Sequence, residues 1–125
     1  MASIKLYLFV AIGGASGAML RFFIAQQLSV IVGRGFPWAT MLVNVLGSFA
    51  IGVLYSMVQS ESVVAPWRIG VTVGLLGAFT TFSTFSLDTV LLIEQGALLK
   101  AVFNVLGNVL ICLIAAWAGL SLFAK

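Results

Sequence analysis

Apolar residues fill four long stretches of this chain, and short segments rich in glycine or polar residues separate them. A helix needs about 20 mainly apolar residues to cross a bilayer, and each stretch is long enough. The pattern predicts an all-α membrane protein with a single transmembrane domain over residues 1–125. We expect its four transmembrane helices at about residues 4–31, 37–59, 66–94 and 97–123.

The segments between the stretches have the composition of turns and helix starts. Residues 33–36 and 95–96 contain glycine, and residues 59–62 are the most polar part of the chain. Pro37 and Pro66 each precede a tryptophan and stand at the first position of a predicted helix. The amide hydrogen that proline lacks would be unpaired at that position in any case.

The third stretch contains a polar segment, residues 77–86, which reads Gly-Ala-Phe-Thr-Thr-Phe-Ser-Thr-Phe-Ser. Five of the seven residues from Thr80 to Ser86 carry hydroxyl groups, and the other two are Phe82 and Phe85. Hydrocarbon offers polar groups no hydrogen-bond partners, so this run is costly unless it faces protein, water or an ion. We therefore expect this segment to carry the function.

The same stretch predicts an interruption of the third helix. Gly70, Gly74 and Gly77 weaken a helix, and the hydroxyl groups that follow compete for its backbone hydrogen bonds. We expect a break at about residues 77–81, with the freed carbonyl groups pointing inward. Such breaks are tolerated in membranes only where the loose backbone is buried in protein or lines a cavity.

Composition narrows the function classes. The chain is 62% hydrophobic and 7% charged, whereas soluble domains are roughly 25% charged. Histidine is absent from the sequence, and only three acidic residues and one cysteine, Cys112, are present. Enzymatic chemistry and transition-metal binding therefore have few groups to use, and we expect no enzyme. The net charge of +3 reflects lysine and arginine in loops and does not indicate a nucleic-acid partner.

The basic residues give the chain no preferred orientation in the membrane. Three fall on each side of the predicted bundle: Lys5, Arg68 and Lys125 on one side, and Arg21, Arg34 and Lys100 on the other. The positive-inside rule acts only through an asymmetry, so the chain can insert both ways. Polar or small residues also recur every fourth position and form stripes on the helices: Gly13, Gly17 and Arg21 on the first, Thr40, Asn44, Ser48 and Gly52 on the second, and Asn104, Asn108 and Cys112 on the fourth. These stripes are too many for one small bundle to bury. We expect an antiparallel homodimer of dual topology; the alternative is a fixed topology with charges assigned to the wrong side.

Phe82 and Phe85 are three residues apart and share a helical face. Core packing is the ordinary role of such a pair, but Ser83, Thr84 and Ser86 surround these rings with hydroxyl groups. An aromatic ring has a positive edge, which gives an anion a weak favourable contact. Conduction needs contacts that let an ion enter and also leave. Core packing and pore lining therefore both remain open for this pair.

Four other polar residues have two explanations each. Asn44 and Asn108 lie deep in apolar helices, where an amide either bonds to a neighbouring helix or replaces water around a small anion. Arg21 either extends to the membrane interface or sets a positive potential at a vestibule. Asp88 follows the hydroxyl run by one turn, and its distance from the middle of the helix favours a water-filled vestibule over a cation site or proton coupling.

Residues 74–86 resemble the hallmark of the Fluc/CrcB fluoride channel family, and further matches cover essentially the whole chain. These matches are Gly13, Gly14, Gly17 and Arg21 in the first helix, and Thr-Met-Leu-Val-Asn over residues 40–44. The resemblance implies passive, selective export of fluoride across the bacterial plasma (inner) membrane. It also implies an antiparallel homodimer with two pores, each formed by both subunits.

By the same resemblance, Phe82 and Phe85 would line the fluoride pathway and Asn44 would donate a hydrogen bond to the ion. Ser83, Thr84 and Asn108 would also belong to this pathway.

The resemblance further implies a structural sodium ion on the dimer axis, held by the backbone carbonyls of Gly77 and Thr80 from both subunits. Arg21 and Asp88 would border the aqueous vestibule.

The chain departs from the family pattern at two positions, and two other functions are alternatives. Cys112 and Ala116 occupy places where relatives carry serine and threonine, so the polar track is thinner at one end. A proton-coupled exporter of the small multidrug resistance type would also be a four-helix dual-topology dimer. That class depends on a glutamate in the first helix, where this chain has only Arg21. A structural or lipid-binding subunit would explain the topology but leave the hydroxyl run unexplained.

Overall fold

A computed structural model describes residues 3–59 and 64–124 of the chain. It is helical, with four spans long and apolar enough to cross a membrane, as the sequence predicts. Residues 60–62 of the predicted polar loop, and Lys125 among the basic residues counted above, lie outside the described residues. Spans 1 to 4 are, in order, Ile4–Val32, Trp38–Val58, Pro66–Glu94 and Leu98–Leu122.

Span 3 consists of several backbone segments. Its N-terminal half combines α-helix at Pro66–Ile69, π-helix at Gly70–Leu76 and a short α-helical turn at Gly77–Phe79. Thr80 and Thr81 are extended, with φ and ψ of −86° and 157° at Thr80 and of −151° and 121° at Thr81. A second α-helix, Phe82–Glu94, then completes the span, and the Thr81 hydroxyl caps it by accepting from the Thr84 amide at 3.1 Å.

Two π-helical segments are features that the apolar pattern did not predict. One is Gly70–Leu76 in span 3, and the other is Gly107–Ile111 in span 4, between the α-helices Leu98–Leu106 and Cys112–Leu122. A π-helical turn is locally wider than an α-helix and is frequent at functional sites. Both segments begin at a glycine, but the apolar pattern around them is that of any buried helix, so sequence alone does not distinguish them.

Spans 1 and 3 approach each other closely through glycine. A Cβ atom added at Gly13 would overlap the Gly70 carbonyl oxygen, and one at Gly17 would overlap the Leu75 carbonyl oxygen. The small face predicted on the first helix therefore packs directly against the π-helical backbone of span 3. Small residues allow this kind of contact between membrane helices, where dispersion forces rather than the hydrophobic effect drive association.

Spans 2 and 4 form a second close pair. A Cβ atom at Gly52 would overlap the Ala116 carbonyl oxygen, and one at Gly119 would overlap the Phe49 carbonyl oxygen. Polar side chains of spans 2 and 4 bond to span 3 between the two pairs, as Asn44 does to Thr81 and Asn104 to Thr89. The interruption at Thr80 and Thr81 lies there.

Most large apolar side chains in the part of the chain that the structure describes are exposed. The buried apolar core of the described residues consists of few side chains, among them Val43, Leu76, Phe79 and Phe85. Apolar surface on this scale requires cover by lipid or by another protein. The four spans and this surface identify a multi-pass membrane protein.

Candidate functional site

Asn44 of span 2 replaces the helical backbone bonds that are missing at the interruption of span 3. The Thr81 amide donates to Asn44 Oδ1 at 2.8 Å, and Asn44 Nδ2 donates to the Thr81 carbonyl oxygen at 3.1 Å. A backbone amide without a hydrogen-bond partner inside a membrane costs several kcal/mol of stability. Asn44 therefore stabilises an extended residue at a depth where extended backbone is otherwise unfavourable.

The interruption removes the usual helical donors of several carbonyl groups, among them those of Gly77 and Thr80. In a continuous helix the Thr81 amide would bond to the Gly77 carbonyl, but here it donates to Asn44. The Thr84 amide would bond to the Thr80 carbonyl, but it donates to the Thr81 hydroxyl. These are the two carbonyls that the resemblance assigns to a sodium ion. Carbonyl oxygen is a suitable ligand for a hard cation.

A groove of about 430 Å³ lies beside the interruption. Its lining brings together four of the six predicted pathway residues and the two predicted sodium ligands. It also includes the two residues of span 4 at which the chain departs from the family pattern. These eight residues are Asn44, Phe82, Phe85, Asn108, Gly77, Thr80, Cys112 and Ala116.

The two phenylalanines differ in their exposure. Their ring centroids are 5.4 Å apart with the planes inclined at 65°, an edge-to-face arrangement. Phe85 is buried, with 7% of its surface exposed, whereas Phe82 is 76% exposed. Phe85 therefore belongs to the packed wall of the groove, and Phe82 presents most of its ring outward from the chain.

The other two predicted pathway residues lie apart from these four. Thr84 lines a second cavity, and Ser83 is exposed and absent from the described lining of both cavities. The Thr81 hydroxyl joins these residues, since its oxygen lies 3.2 Å from Ser83 Oγ and 3.1 Å from Thr84 Oγ1. Thr81 also lines the groove, so one hydroxyl pair, Thr81 and Thr84, separates the groove from the second cavity.

The second cavity, of about 370 Å³, contains the charged side chains and is called the charged cavity below. Asp88 lines it and accepts a hydrogen bond from Thr40 at 3.1 Å. Arg34 and Lys100 also line it, and Lys100 Nζ donates to the Gly35 carbonyl at 3.1 Å. The sequence pattern missed these two cations as site residues, because Arg34 belongs to the turn between spans 1 and 2 and Lys100 to the start of span 4, and nothing local connects either to Asp88.

Arg21 and Asp88, both predicted at a vestibule, have different hydrogen-bond partners in the structure. Arg21 donates from its Nε to the Ala78 carbonyl at 3.0 Å, just before the interruption. It does not occur among the described residues that line the groove or the charged cavity. Arg21 thus holds span 1 against the end of the first half of span 3.

Comparison with known proteins places the chain in a family. The family model described as "CrcB-like protein, Camphor Resistance (CrcB)" matches residues 8–120. The chain belongs to the CrcB family. Its relatives include proteins named "Fluoride-specific ion channel FluC". One, from Pseudoalteromonas translucida, is 47% identical over 90% of this chain and 95% of its own length.

Two other CrcB relatives carry the same name. The protein of Vibrio vulnificus is 49% identical over 91% of this chain and 91% of its own length. The protein of Vibrio cholerae is 50% identical over 89% of each chain. The similarity therefore extends over all four spans and includes the interruption.

Proposed function

We propose that this protein is a passive fluoride channel and not an enzyme. The observation that carries the proposal is the groove, in which an amide and two aromatic rings meet a helix interruption in a chain of the CrcB family. Relatives covering nearly the whole chain are named fluoride-specific ion channels. The interruption at Thr80 and Thr81 is the functional break of the third transmembrane helix.

The groove offers an anion many weak contacts and no cationic side chain among its described lining. Ring edges of Phe82 and Phe85 carry partial positive charge, which favours an anion without trapping it. A negative interior potential then drives fluoride outward, with about 2.3 kcal/mol per charge for each 100 mV. We place the protein in the bacterial plasma membrane on this basis.

Asn44 contributes to this pathway through exchange of a hydrogen bond. Both of its amide hydrogens are donated within the protein, to the Thr81 carbonyl and to Asn108 Oδ1 at 2.8 Å. Fluoride bound by Asn44 must replace one of these acceptors. Asn108 is the exchangeable partner, because a side chain can turn away while the Thr81 carbonyl is fixed by the backbone.

The working unit is an antiparallel dimer of dual topology. Three considerations support this: the symmetric distribution of basic residues, the large exposed apolar surface, and the outward position of Phe82, which is 76% exposed. A ring that faces away from its own chain can line a pore only when a second copy closes the other side. Each of the two pores would then take residues from both subunits.

A structural sodium ion fits the same dimer. The carbonyls of Gly77 and Thr80 have lost their helical donors, and two copies of each would supply four oxygen ligands. The described residues contain no cluster of acidic, cysteine or histidine side chains that could hold a metal, so backbone oxygen is the available ligand type. When bound, the ion would neutralise the carbonyl dipoles at the break.

The experiment for the proposed function is ion efflux from liposomes that contain the purified protein. We expect release of fluoride, measured with a fluoride electrode, and no release of chloride from matched liposomes. Protein-free liposomes give the background. Comparable chloride release would refute a fluoride-selective channel, and proton-coupled movement of an organic cation would support the exporter alternative.

A further inference from the structure

Three buried asparagine side chains form one continuous hydrogen-bonded row across the middle of the protein. Asn44 donates to Asn108 Oδ1 at 2.8 Å. Asn108 in turn donates from Nδ2 to both the side-chain oxygen and the backbone oxygen of Asn104, at 3.0 and 2.9 Å. Buried amides are costly unless paired, so a row of three indicates a definite requirement for these groups.

Both ends of this row terminate on the helix Phe82–Glu94. At one end Asn44 holds both backbone groups of Thr81, directly before Phe82. At the other end Asn104 Nδ2 donates to the Thr89 hydroxyl at 3.0 Å, and that hydroxyl donates to the Phe85 carbonyl at 2.8 Å. The row is thus a closed circuit through spans 2, 4 and 3, and the part of span 3 inside it carries both phenylalanines.

A closed circuit restrains rotation of this helix about its own axis. If the helix turned, Thr81 and Thr89 would move relative to spans 2 and 4, and at least one end of the row would break. Since Phe82 and Phe85 lie between these two anchors, the row also sets the direction in which the rings meet the groove. A polar network of this kind fixes one packing arrangement more specifically than apolar contacts do.

Asn104 connects Asn108 to Thr89 and does not itself line the groove. It is 0% exposed and does not occur among the described residues that line the groove. Any influence of Asn104 on a permeating ion must therefore pass through Asn108 or Thr89. In the sequence, Asn104 belongs with Asn108 and Cys112 to a polar stripe on one face of the fourth helix, but this spacing alone predicts no role for Asn104 in the pathway.

We propose that Asn104 is a positioning residue for ion conduction. It holds Asn108 so that Asn108 accepts from Asn44, and it holds Thr89 so that the Phe85 segment keeps its rotation. This proposal rests on the proposed channel function, because its effect is on the geometry of the conducting groove.

The test measures the current of single channels in planar bilayers with fluoride as the conducted ion. The Asn104→Leu variant keeps a buried side chain of similar size but loses both side-chain hydrogen bonds. We expect its single-channel current to fall about three- to tenfold, the change in rate for loss of roughly one buried hydrogen bond. The amount of dimer, measured by size-exclusion chromatography, should stay at the wild-type level.

A matched pair at Thr89 tests the same row from its other end. Thr89→Ser keeps the hydroxyl that accepts from Asn104, whereas Thr89→Val keeps the branched shape and removes the hydroxyl. We expect reduced single-channel current in Thr89→Val and a current within about twofold of wild type in Thr89→Ser. This pair keeps the proposal testable if Asn104→Leu does not assemble.

The number of active channels separates positioning from simple stability. A merely structural role would lower the number of active channels and leave the current of each one unchanged, and that result would overturn the proposal. In an Asn108→Ala background, the loss caused by Asn104→Leu should shrink, because the two residues act through one row. If the wild-type protein conducts no fluoride, the proposed function fails; if it conducts and the variants carry wild-type currents, only the positioning role fails.

Discussion

Asn44 and Thr81, 37 residues apart in sequence, exchange a reciprocal pair of hydrogen bonds in which one side-chain amide binds both backbone groups of an extended residue. This is the pattern by which neighbouring β-strands pair, reproduced by a side chain. It allows span 3 to leave the helical conformation inside a membrane without exposing an unpaired amide to hydrocarbon.

Removal of this pair should damage both stability and conduction. In Asn44→Leu, the Thr81 amide loses its acceptor, while the Thr81 carbonyl, at the N-cap of the following helix, keeps its helical donor. We expect the unpaired buried amide to cost about 1–3 kcal/mol of stability. Thermal unfolding in detergent and fluoride efflux from liposomes would measure the two effects. Ser56→Ala in the same span is the control, since within the described part of the chain the Ser56 hydroxyl donates to its own helix, at the Val53 carbonyl. Wild-type behaviour of Asn44→Leu would contradict the bridging role.

The two groove phenylalanines should matter for flux more than for assembly. Phe82→Ile and Phe85→Ile replace a ring that has a positive edge with an aliphatic group of no such polarity, so we expect each to reduce fluoride efflux by about tenfold or more. The dimer should persist, as judged by size-exclusion chromatography. Phe103→Ile provides the control, because Phe103 is exposed on span 4 outside the groove. Normal flux in both groove variants would remove the rings from the pathway.

Substitution by alanine should destabilise the protein at Gly13 but not at its neighbour Gly14 in span 1. A Cβ atom at Gly13 would overlap the Gly70 carbonyl, whereas at Gly14 the nearest such atom, the Gly74 carbonyl oxygen, is 4.0 Å away. We expect Gly13→Ala to lose about 1–3 kcal/mol through overpacking and Gly14→Ala to remain close to wild type. The fraction of monodisperse protein and its melting temperature would report this difference. Equal effects of the two variants would argue against close packing of spans 1 and 3.

Asp88 should lower the anion concentration in the charged cavity. Asp88→Asn removes a negative charge from a cavity that Arg34 and Lys100 also line, so the local potential becomes more positive. We expect single-channel fluoride current at low ionic strength to rise about two- to threefold and the difference to shrink in high salt. Glu94→Gln, at the exposed end of the same helix, controls for a general change in surface charge. Equal responses of the two variants would mean that the charge of Asp88 has no specific effect on the fluoride current.

The proposed sodium ion should stabilise the dimer by mass action. A ligand that binds only the folded state adds about 2.7 kcal/mol at a hundred times its dissociation constant. We expect the melting temperature and the dimer fraction to rise with sodium chloride but not with N-methylglucamine chloride at equal ionic strength. Identical curves in the two salts would exclude a sodium site of functional affinity at the Gly77 and Thr80 carbonyls.

Properties that depend on local chemistry could be predicted from the sequence. The four apolar spans follow from the length of helix needed to cross hydrocarbon. The hydroxyl run located the candidate site, because polar groups at that depth need partners. The resemblance of residues 74–86 to the Fluc/CrcB family indicated that the ion is fluoride.

Properties that depend on pairing between distant residues were decided by the tertiary structure. Asn44 and Asn108 each had two explanations in the sequence, and the packing of spans 2, 3 and 4 bonded them to each other. The same packing buried Asn104 completely, bonded Arg21 to the Ala78 carbonyl and bonded Asp88 to Thr40. An apolar helix looks the same in sequence whichever neighbour it meets, so only the arrangement of the helices determines which polar groups become partners.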